Sequence, residues 1–330
     1  MFDMSKRLLF CLLLELLLFS SCKLQDNVYS IRLNWIPSCS FVGEILGVQD
    51  FQEQNDVKLI VNRGGLGLDP IKLVQSGEDD FGVCGADLVL AANDKGADFV
   101  IVGVVNNFSP GVFLSKAEKN INSINDLFNK RIGELPGGNM QYLYEVFLKT
   151  VGLERNKNFQ PVPIPYELKN FIIQDECDVR PVFIHDEPSE LDLNGIQYNI
   201  IEPKDLGISF KGIVYFCRRS LINENPELVQ KFINTMIDGW DAAIKDPNRA
   251  IEALKKYDPT INEEKELNGL IKGMTYFMGY EGKLLYSDTD SWSVMIDNMK
   301  DIGVIKNDID VTKIINMSFV ENYYMKATYE

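Results

Sequence analysis

Histidine is nearly missing from this chain: 330 residues contain one, His185. A Ser-His-Asp triad, a Cys-His pair or a multi-histidine metal site would each have to be built on that single side chain. Beside an expected strand end, it reads as structural rather than catalytic. Cysteine is scarce as well. Six are present and none forms a C-x-x-C pair, so a structural zinc or a dithiol redox motif has no support. Cys39, Cys84, Cys177 and Cys217 read as buried thiols, since Cys84 and Cys217 sit in apolar strand-like runs; an exported location would also permit one or two disulfides. Basic residues are in deficit, 33 against 48 acidic ones, for a net charge of -15. So acidic a surface argues against nucleic acid and anionic lipid as partners. The apolar run near the start, Leu8 to Phe19, is interrupted by Glu15 and falls short of the roughly 20 residues that cross a bilayer as a helix.

That run follows Lys6 and Arg7 and precedes Ser20, Ser21 and Cys22, the order of an export signal. The small pair before Cys22 resembles the bacterial lipoprotein box, in which the cysteine is diacylated and becomes the first mature residue. Phe19 in place of the usual Leu, and Glu15 within the run, depart from that pattern, and an ordinary signal peptide is the alternative. Residues 1–21 are read as the signal and Cys22 as the lipidation site. Two acyl chains give the stable anchoring that one chain lacks, so the expected location is outside the cytoplasm, tethered to a membrane.

In "YSIRLNWIP", Ile31, Leu33 and Trp35 alternate with Arg32 and Asn34, and Pro37 ends what reads as a strand. A helix is predicted over about 41–54, then strand "VKLIV". In "LDPIKLVQSG" Asp69 is the N-cap, Pro70 the first helical residue and Gly77 the stop. Strand "FGVC", helix "DLVLAANDKG" and strand "FVIVGVV" follow. Beyond "NNFSPG" the alternation resumes through "GVFLS", "RIGEL", "PVPI" and "VRPVFI", and from Asn225 the chain is almost wholly helical. Strands alternating with helices imply crossover units and mostly parallel sheets. The predicted fold is therefore α/β, two lobes with a cleft between them.

Candidate site residues come from strand and helix ends. Trp35 stands at the carboxyl end of a predicted parallel strand, where open α/β sheets bind ligands. The turn Gly85 to Asp87 starts a helix, although Asp87 is equally a plain N-cap. The "PGG" loop at 136–138 offers backbone N–H groups at another helix start, or is an ordinary turn. Glu187 is either a cleft acceptor or a solvated carboxylate. Packing is the plain reading for Trp240 and Phe108, and both are carried as candidate ligand contacts.

The stretches "LNWIPS", "GGLGLDPIKLVQSGEDDFGVCGADLVLAANDKG", "NDLFNKRIGELPGG", "HDEPSELDLNGIQYNIIEPKDLGISF" and "NPELVQKFINTMIDGWDAAIKDPNRAIEALKKY" together resemble the solute-binding proteins of ABC importers that are similar to thiamine-pyrimidine-synthesis proteins, a group with riboflavin and sulfonate binders. The resemblance implies a periplasmic-binding-protein-like (type 2) fold. It puts residues 26–112 and 212–330 in lobe one and 113–211 in lobe two. It implies that Asn34 and Trp35 of the "NW" pair lie in the cleft, Trp35 stacking on a flat heterocycle. Gly85 and Asp87 would approach from one lobe, Gly137, Gly138 and Tyr142 from the other. "DEP" at 186–188 stands for the family's "NEP", with Glu187 accepting from a ring amine. The family's pyrimidine-synthesising enzymes carry a histidine shortly after the "NW" strand, where this chain reads "SCSFVGE". The function implied is non-enzymatic capture of a thiamine pyrimidine precursor or a riboflavin-like vitamin by a monomer, without cofactor or metal, for delivery to ABC permease subunits. The alternatives are a sulfonate or other anion binder, using Arg63 and Arg180, and an enzyme of the same fold.

Overall fold

The computed structural model describes residues 28–135, 137 and 140–327. The signal run, Cys22, Pro136 and Gly138 lie outside the described residues. Ten strands are present among the described residues: β1 Tyr29–Arg32, β2 Leu59–Asn62, β3 Phe81–Gly85, β4 Phe99–Val104, β5 Gly111–Lys116, β6 Arg131–Glu134, β7 Gln160–Pro163, β8 Arg180–Phe183, β9 Tyr198–Ile201 and β10 Ile213–Arg218. They form a five-stranded sheet in the order β2-β1-β3-β10-β4, a three-stranded sheet β8-β5-β9 and a pair β6-β7. The first sheet belongs to one lobe, the other two to the second, and an isolated parallel bridge between Ile132 and Val179 ties the small sheets together.

The two-lobed α/β architecture is as expected, but the sheets are more mixed than "mostly parallel". β1 runs parallel to β2 and β3, and β6 parallel to β7. β10 is antiparallel to both its neighbours, as is β5 to β8 and β9. The reason is connectivity: the chain leaves the first sheet after β4 and returns to it from the second lobe, so β10 enters against the others. The two crossing segments bond to each other on the way, through Val105 N–H to Ile213 O (2.9 Å), Gly212 N–H to Asn106 O (2.9 Å) and Ser109 N–H to Phe210 O (2.6 Å).

Local signals form as read. Asp69 Oδ1 accepts from Ile71 N–H at 3.0 Å, and Gly77 closes the helix Pro70–Ser76 at φ 82°, a left-handed conformation glycine tolerates. The helix expected over 41–54 is Val42–Leu46 followed by a wider-wound turn, Gly47–Phe51. It lies backbone to backbone on the long helix Pro226–Lys245, where a Cβ on Gly239 would collide with Gly43 O and Gly47. The long helix covers the first sheet, with Phe232 stacked on Phe81 at 3.8 Å. Cys39, Cys84, Cys177 and Cys217 are free and buried.

Trp240 is core, which corrects its place among the ligand contacts. It is 1% exposed, stacks on Phe277 at 4.8 Å and donates from Nε1 to Tyr215 Oη at 2.7 Å. Tyr215 Oη donates in turn to Glu44 Oε1 at 2.8 Å. Burial pushes the Glu44 carboxyl up to about 8, so at neutral pH it is protonated inside the core. Unfolding returns it to an ordinary value near 4.5, so between those values the folded chain holds the extra proton and stability falls as pH rises. Glu44→Gln keeps the acceptor for Tyr215 without the ionisation. Unfolding titrations at about pH 5 and about pH 8 should show a smaller fall in the variant, the wild-type excess being at most about 1.4 kcal/mol per pH unit for one group. An identical pH slope in both would remove Glu44 as its source.

Candidate functional site

The lobes face each other across a cavity of about 230 Å³. Lobe one contributes the turn after β1, with Asn34, Trp35, Ser38 and Ser40, and the β3 end, with Gly85 and Asp87. Lobe two contributes the β7 and β8 ends, with Tyr166, Phe183, His185 and Glu187. The returning hinge segment supplies Lys211, Gly212 and Ile213, and the helix Glu263–Phe277 reaches the rim through Lys265.

Trp35 is half-buried, and its ring meets that of Tyr166 at 5.2 Å between centroids and 32° between planes. One aromatic comes from each lobe. Tyr166 was not among the sequence candidates, though it carries the same signal as Trp35: an aromatic a few residues past the end of a parallel strand. Its loop is held from behind by Arg180, a buried side chain whose Nη2 donates to Pro165 O (2.6 Å) and Tyr166 O (3.0 Å). Asn34 Oδ1 is sealed from solvent without a hydrogen-bond partner among the described residues.

Burial holds two acids of the cavity, Asp87 and Glu187, toward their neutral forms. Asp87 is 4% exposed and sits in the first turn of the helix Ala86–Asp94, where Oδ1 accepts from Leu88 N–H at 3.0 Å. Burial outweighs that bond and raises its carboxyl to about 7. Glu187 opens the helix Glu187–Leu193 and accepts from Phe183 N–H at 2.9 Å. Burial, and then the neighbouring Asp186, raise it to about 8. His185 goes the other way: burial holds the imidazole down at about 4, so it is neutral at pH 7. Its Nε2 lies 2.7 Å from Ser40 Oγ of the opposite lobe. Two lysines line the cavity, and one of them is in an ion pair. Lys265 Nζ pairs with Asp186 at 2.6 Å, while Lys211 Nζ points to Asn107 Oδ1 (3.5 Å) and the rings of Phe108 and Trp292.

Asn34, Trp35, Gly85, Asp87 and Glu187 are thus brought together on the cavity walls. Phe108, Gly137, Tyr142 and Trp240 are not among those walls. Phe108 is exposed. Gly137 sits in an exposed turn at φ 74°. Tyr142 is half-buried against a core cluster drawn from both lobes. The anion candidates also fall elsewhere. Arg63 is exposed and 3.9 Å from Asp258, and Arg180 is spent on the Tyr166 loop. Arg180→Leu leaves two carbonyls without their donor, at about 1–3 kcal/mol each. The expected outcome is a lower melting temperature and faster amide exchange over 164–172; protection equal to the wild type would mean that the loop stands without Arg180.

Residues 48–250 match the family described as NMT1/THI5 like. Riboflavin-binding protein RibY of Chloroflexus aurantiacus is 24% identical over 242 residues, which cover 70% of this chain and 68% of that protein. 4-Amino-5-hydroxymethyl-2-methylpyrimidine phosphate synthase of Legionella pneumophila is 22% identical over 295 residues, 88% of this chain and 92% of that one. Among solved structures, the sulfonate-binding protein SsuA of Methylobacillus flagellatus superposes with a TM-score of 0.71 at 16% identity, covering 92% of this chain and 96% of that chain. SsuA shares the fold. With the family match running through more than half of the sequence, the chain belongs to the NMT1/THI5-like family.

Proposed function

We propose that this protein is the solute-capturing component of an ABC importer, exported, monomeric and anchored through acylated Cys22. Its ligand is a small flat nitrogen heterocycle, and no bond is made or broken. Residues 26–112 with 212–330 act as one lobe and 113–211 as the other. The observation that carries this reading is the Trp35–Tyr166 pair, one ring from each lobe, at a cavity where burial holds Asp87 and Glu187 toward their neutral forms. Aromatic faces give affinity for a planar ring and a few directed polar groups give orientation. Glu187 spends one carboxyl oxygen on Phe183 N–H and keeps the other for a ring amine. The volume of about 230 Å³ lies below the ~300–1,000 Å³ of drug-sized pockets, which favours a single pyrimidine ring, as in a thiamine precursor, over the three rings of riboflavin.

Two other readings have less support. An anion binder needs a free cation in the cavity; Lys211 lines it without an ion pair among the described residues, but Asp87, Glu167, Asp186, Glu187 and Glu190 line it too and Lys265 is already paired. An enzyme would use the Ser40–His185 pair, but no carboxylate among the described residues orients the imidazole from Nδ1, and a base held near 4 is weak for work at pH 7.

Two experiments test the reading. Trp35→Leu should weaken binding of 4-amino-5-hydroxymethyl-2-methylpyrimidine by about ten- to a hundredfold, since stacking adds about 0.5–1.5 kcal/mol beyond the apolar contact that is also lost. Trp35→Phe, which keeps a ring, should lose much less. Equal affinities for the Leu and Phe variants would refute the stacking role. Separately, labelling with a palmitate analogue should mark the wild type and miss Cys22→Ser; equal labelling would refute the anchor.

A further inference from the structure

We propose that Asp87 selects the ligand by sharing a proton with it. Its free oxygen, Oδ2, meets a basic nitrogen of the bound ring, which makes capture proton-linked and confines the ligand to heterocycles bearing such a nitrogen. The proposal rests on the heterocycle-binding reading and deepens it by naming the class of ring.

Asp87 follows β3 closely and sits in the first turn of the helix Ala86–Asp94. Ala86 N–H donates to Gly212 O at 2.9 Å, which pins that turn to the returning hinge segment. Gly85, Asp87 and Leu88 of the turn, with Gly212 and Ile213 of the hinge, line the same cavity. The carboxyl is oriented by its own stretch of chain. Oδ1 accepts from Leu88 N–H at 3.0 Å and lies so close to the strand end that a Cβ on Gly85 would collide with it. Oδ2 is 4.0 Å from that Cβ position and makes no hydrogen bond among the described residues. It is not one of the side-chain oxygens sealed from solvent. The residue is only 4% exposed, and the cavity is the space it borders. A carboxyl oxygen buried to this degree without a partner is an exception in folded proteins.

No cation of the described residues answers it. Five carboxyl side chains among them line the cavity, against two lysines. Lys265 pairs with Asp186 at 2.6 Å. Lys211 Nζ is 3.5 Å from Asn107 Oδ1 and 5.9 Å from the rings of Phe108 and Trp292, none of which lines the cavity. The titratable groups that sense Asp87 are Tyr142, on the lobe-two helix Gln141–Val151, and Cys84, on β3, and its charge raises both. Beside the helix Pro70–Ser76, Asp69 adds a second negative charge at Cys84. Glu187 lines the cavity from lobe two. Burial with no positive partner raises the Asp87 carboxyl to about 7, so it keeps a proton that an exposed aspartate gives up. A basic ring nitrogen takes that proton and leaves a carboxylate–cation pair, a charge-assisted bond roughly twice as strong as a neutral one. A carbonyl oxygen accepts from the carboxyl without taking its proton. Below about pH 7 Asp87 brings the shared proton; above it the complex draws one from solution, so affinity falls as pH rises through that value.

Binding of 4-amino-5-hydroxymethyl-2-methylpyrimidine to the full protein, measured from about pH 6.5 to about pH 8.5, reads the linkage, and wild-type affinity should fall by up to about tenfold per pH unit above 7. Asp87→Asn keeps an acceptor for Leu88 N–H and has no proton to share. It should bind about tenfold more weakly at the acid end, and the wild-type advantage should shrink as the pH is raised. Glu187, raised to about 8, titrates in both proteins, so the ratio of their affinities isolates Asp87. The same pyrimidine labelled with 15N in its ring and bound to the wild type at about pH 7.5 should show one ring nitrogen displaced toward its protonated position. An affinity ratio that stays constant with pH, or ring nitrogens unmoved in the complex, would overturn the proposal and leave the heterocycle reading in place. The spectrum is read on the wild type, so a poorly folding variant does not block the test. Riboflavin, whose ring nitrogens are far less basic, is titrated in parallel. A wild type that binds riboflavin and not the pyrimidine would also overturn the shared proton alone, whereas one that binds neither probe removes both readings.

Discussion

Strand β10 enters the first sheet between β3 and β4 against their direction, bonding to both. Around this insertion the rest of the molecule is arranged. Because the strand arrives from the second lobe, the segments that join the lobes lie side by side and share backbone hydrogen bonds at Val105, Gly212 and Ser109. A pair of short, mutually bonded connections resists shear but permits bending, which is the mechanical condition for two lobes that close on a ligand. The first residues of the strand, Gly212 and Ile213, are also cavity lining. Hinge and binding floor are thus the same piece of chain.

Polar groups are placed in this cavity at a cost that the fold accepts. Burial raises the Asp87 carboxyl to about 7 and that of Glu187 to about 8, and His185 is buried without its charge. A neutral carboxyl both donates and accepts, which is the polar character the proposed heterocyclic ligand calls for. Of the cavity lysines, Lys265 is paired to Asp186, while Lys211 has no ion pair among the described residues. Arg180 is buried too, but it faces Glu176 at 3.6 Å and its Nη2 donates to two carbonyls of the loop bearing Tyr166.

Much of this was legible from the residues, and what was not has a common cause. Asp69, Pro70 and Gly77 delimit their helix through bonds to neighbours two to four positions away, and alternation along Tyr29–Arg32 set the strand that delivers Trp35. Such signals are short-range and survive in a sequence read alone. Trp240 has no local mark distinguishing a core aromatic from a cleft aromatic; its fate was settled by Tyr215 and Phe277 from distant parts of the chain. Tyr166 carried the same strand-end signal as Trp35, but weakly, because the strand before it, "QPVP", lacks a clear alternation.

The sequence by itself determined the alternation of strands and helices, the scarcity of histidine and cysteine that narrows the chemistry, and the position of Trp35 at a strand end, because each depends on composition or on contacts within a few residues. Only the tertiary structure decided that β10 runs antiparallel, that Trp35 meets Tyr166, and that His185 meets Ser40 across 145 positions of chain. Those pairings are fixed by how the second lobe folds back on the first, and burial alone then sets whether Asp87, Glu187 and His185 carry charge. Neither distance in space nor exclusion of water is written in the spacing of residues along the chain.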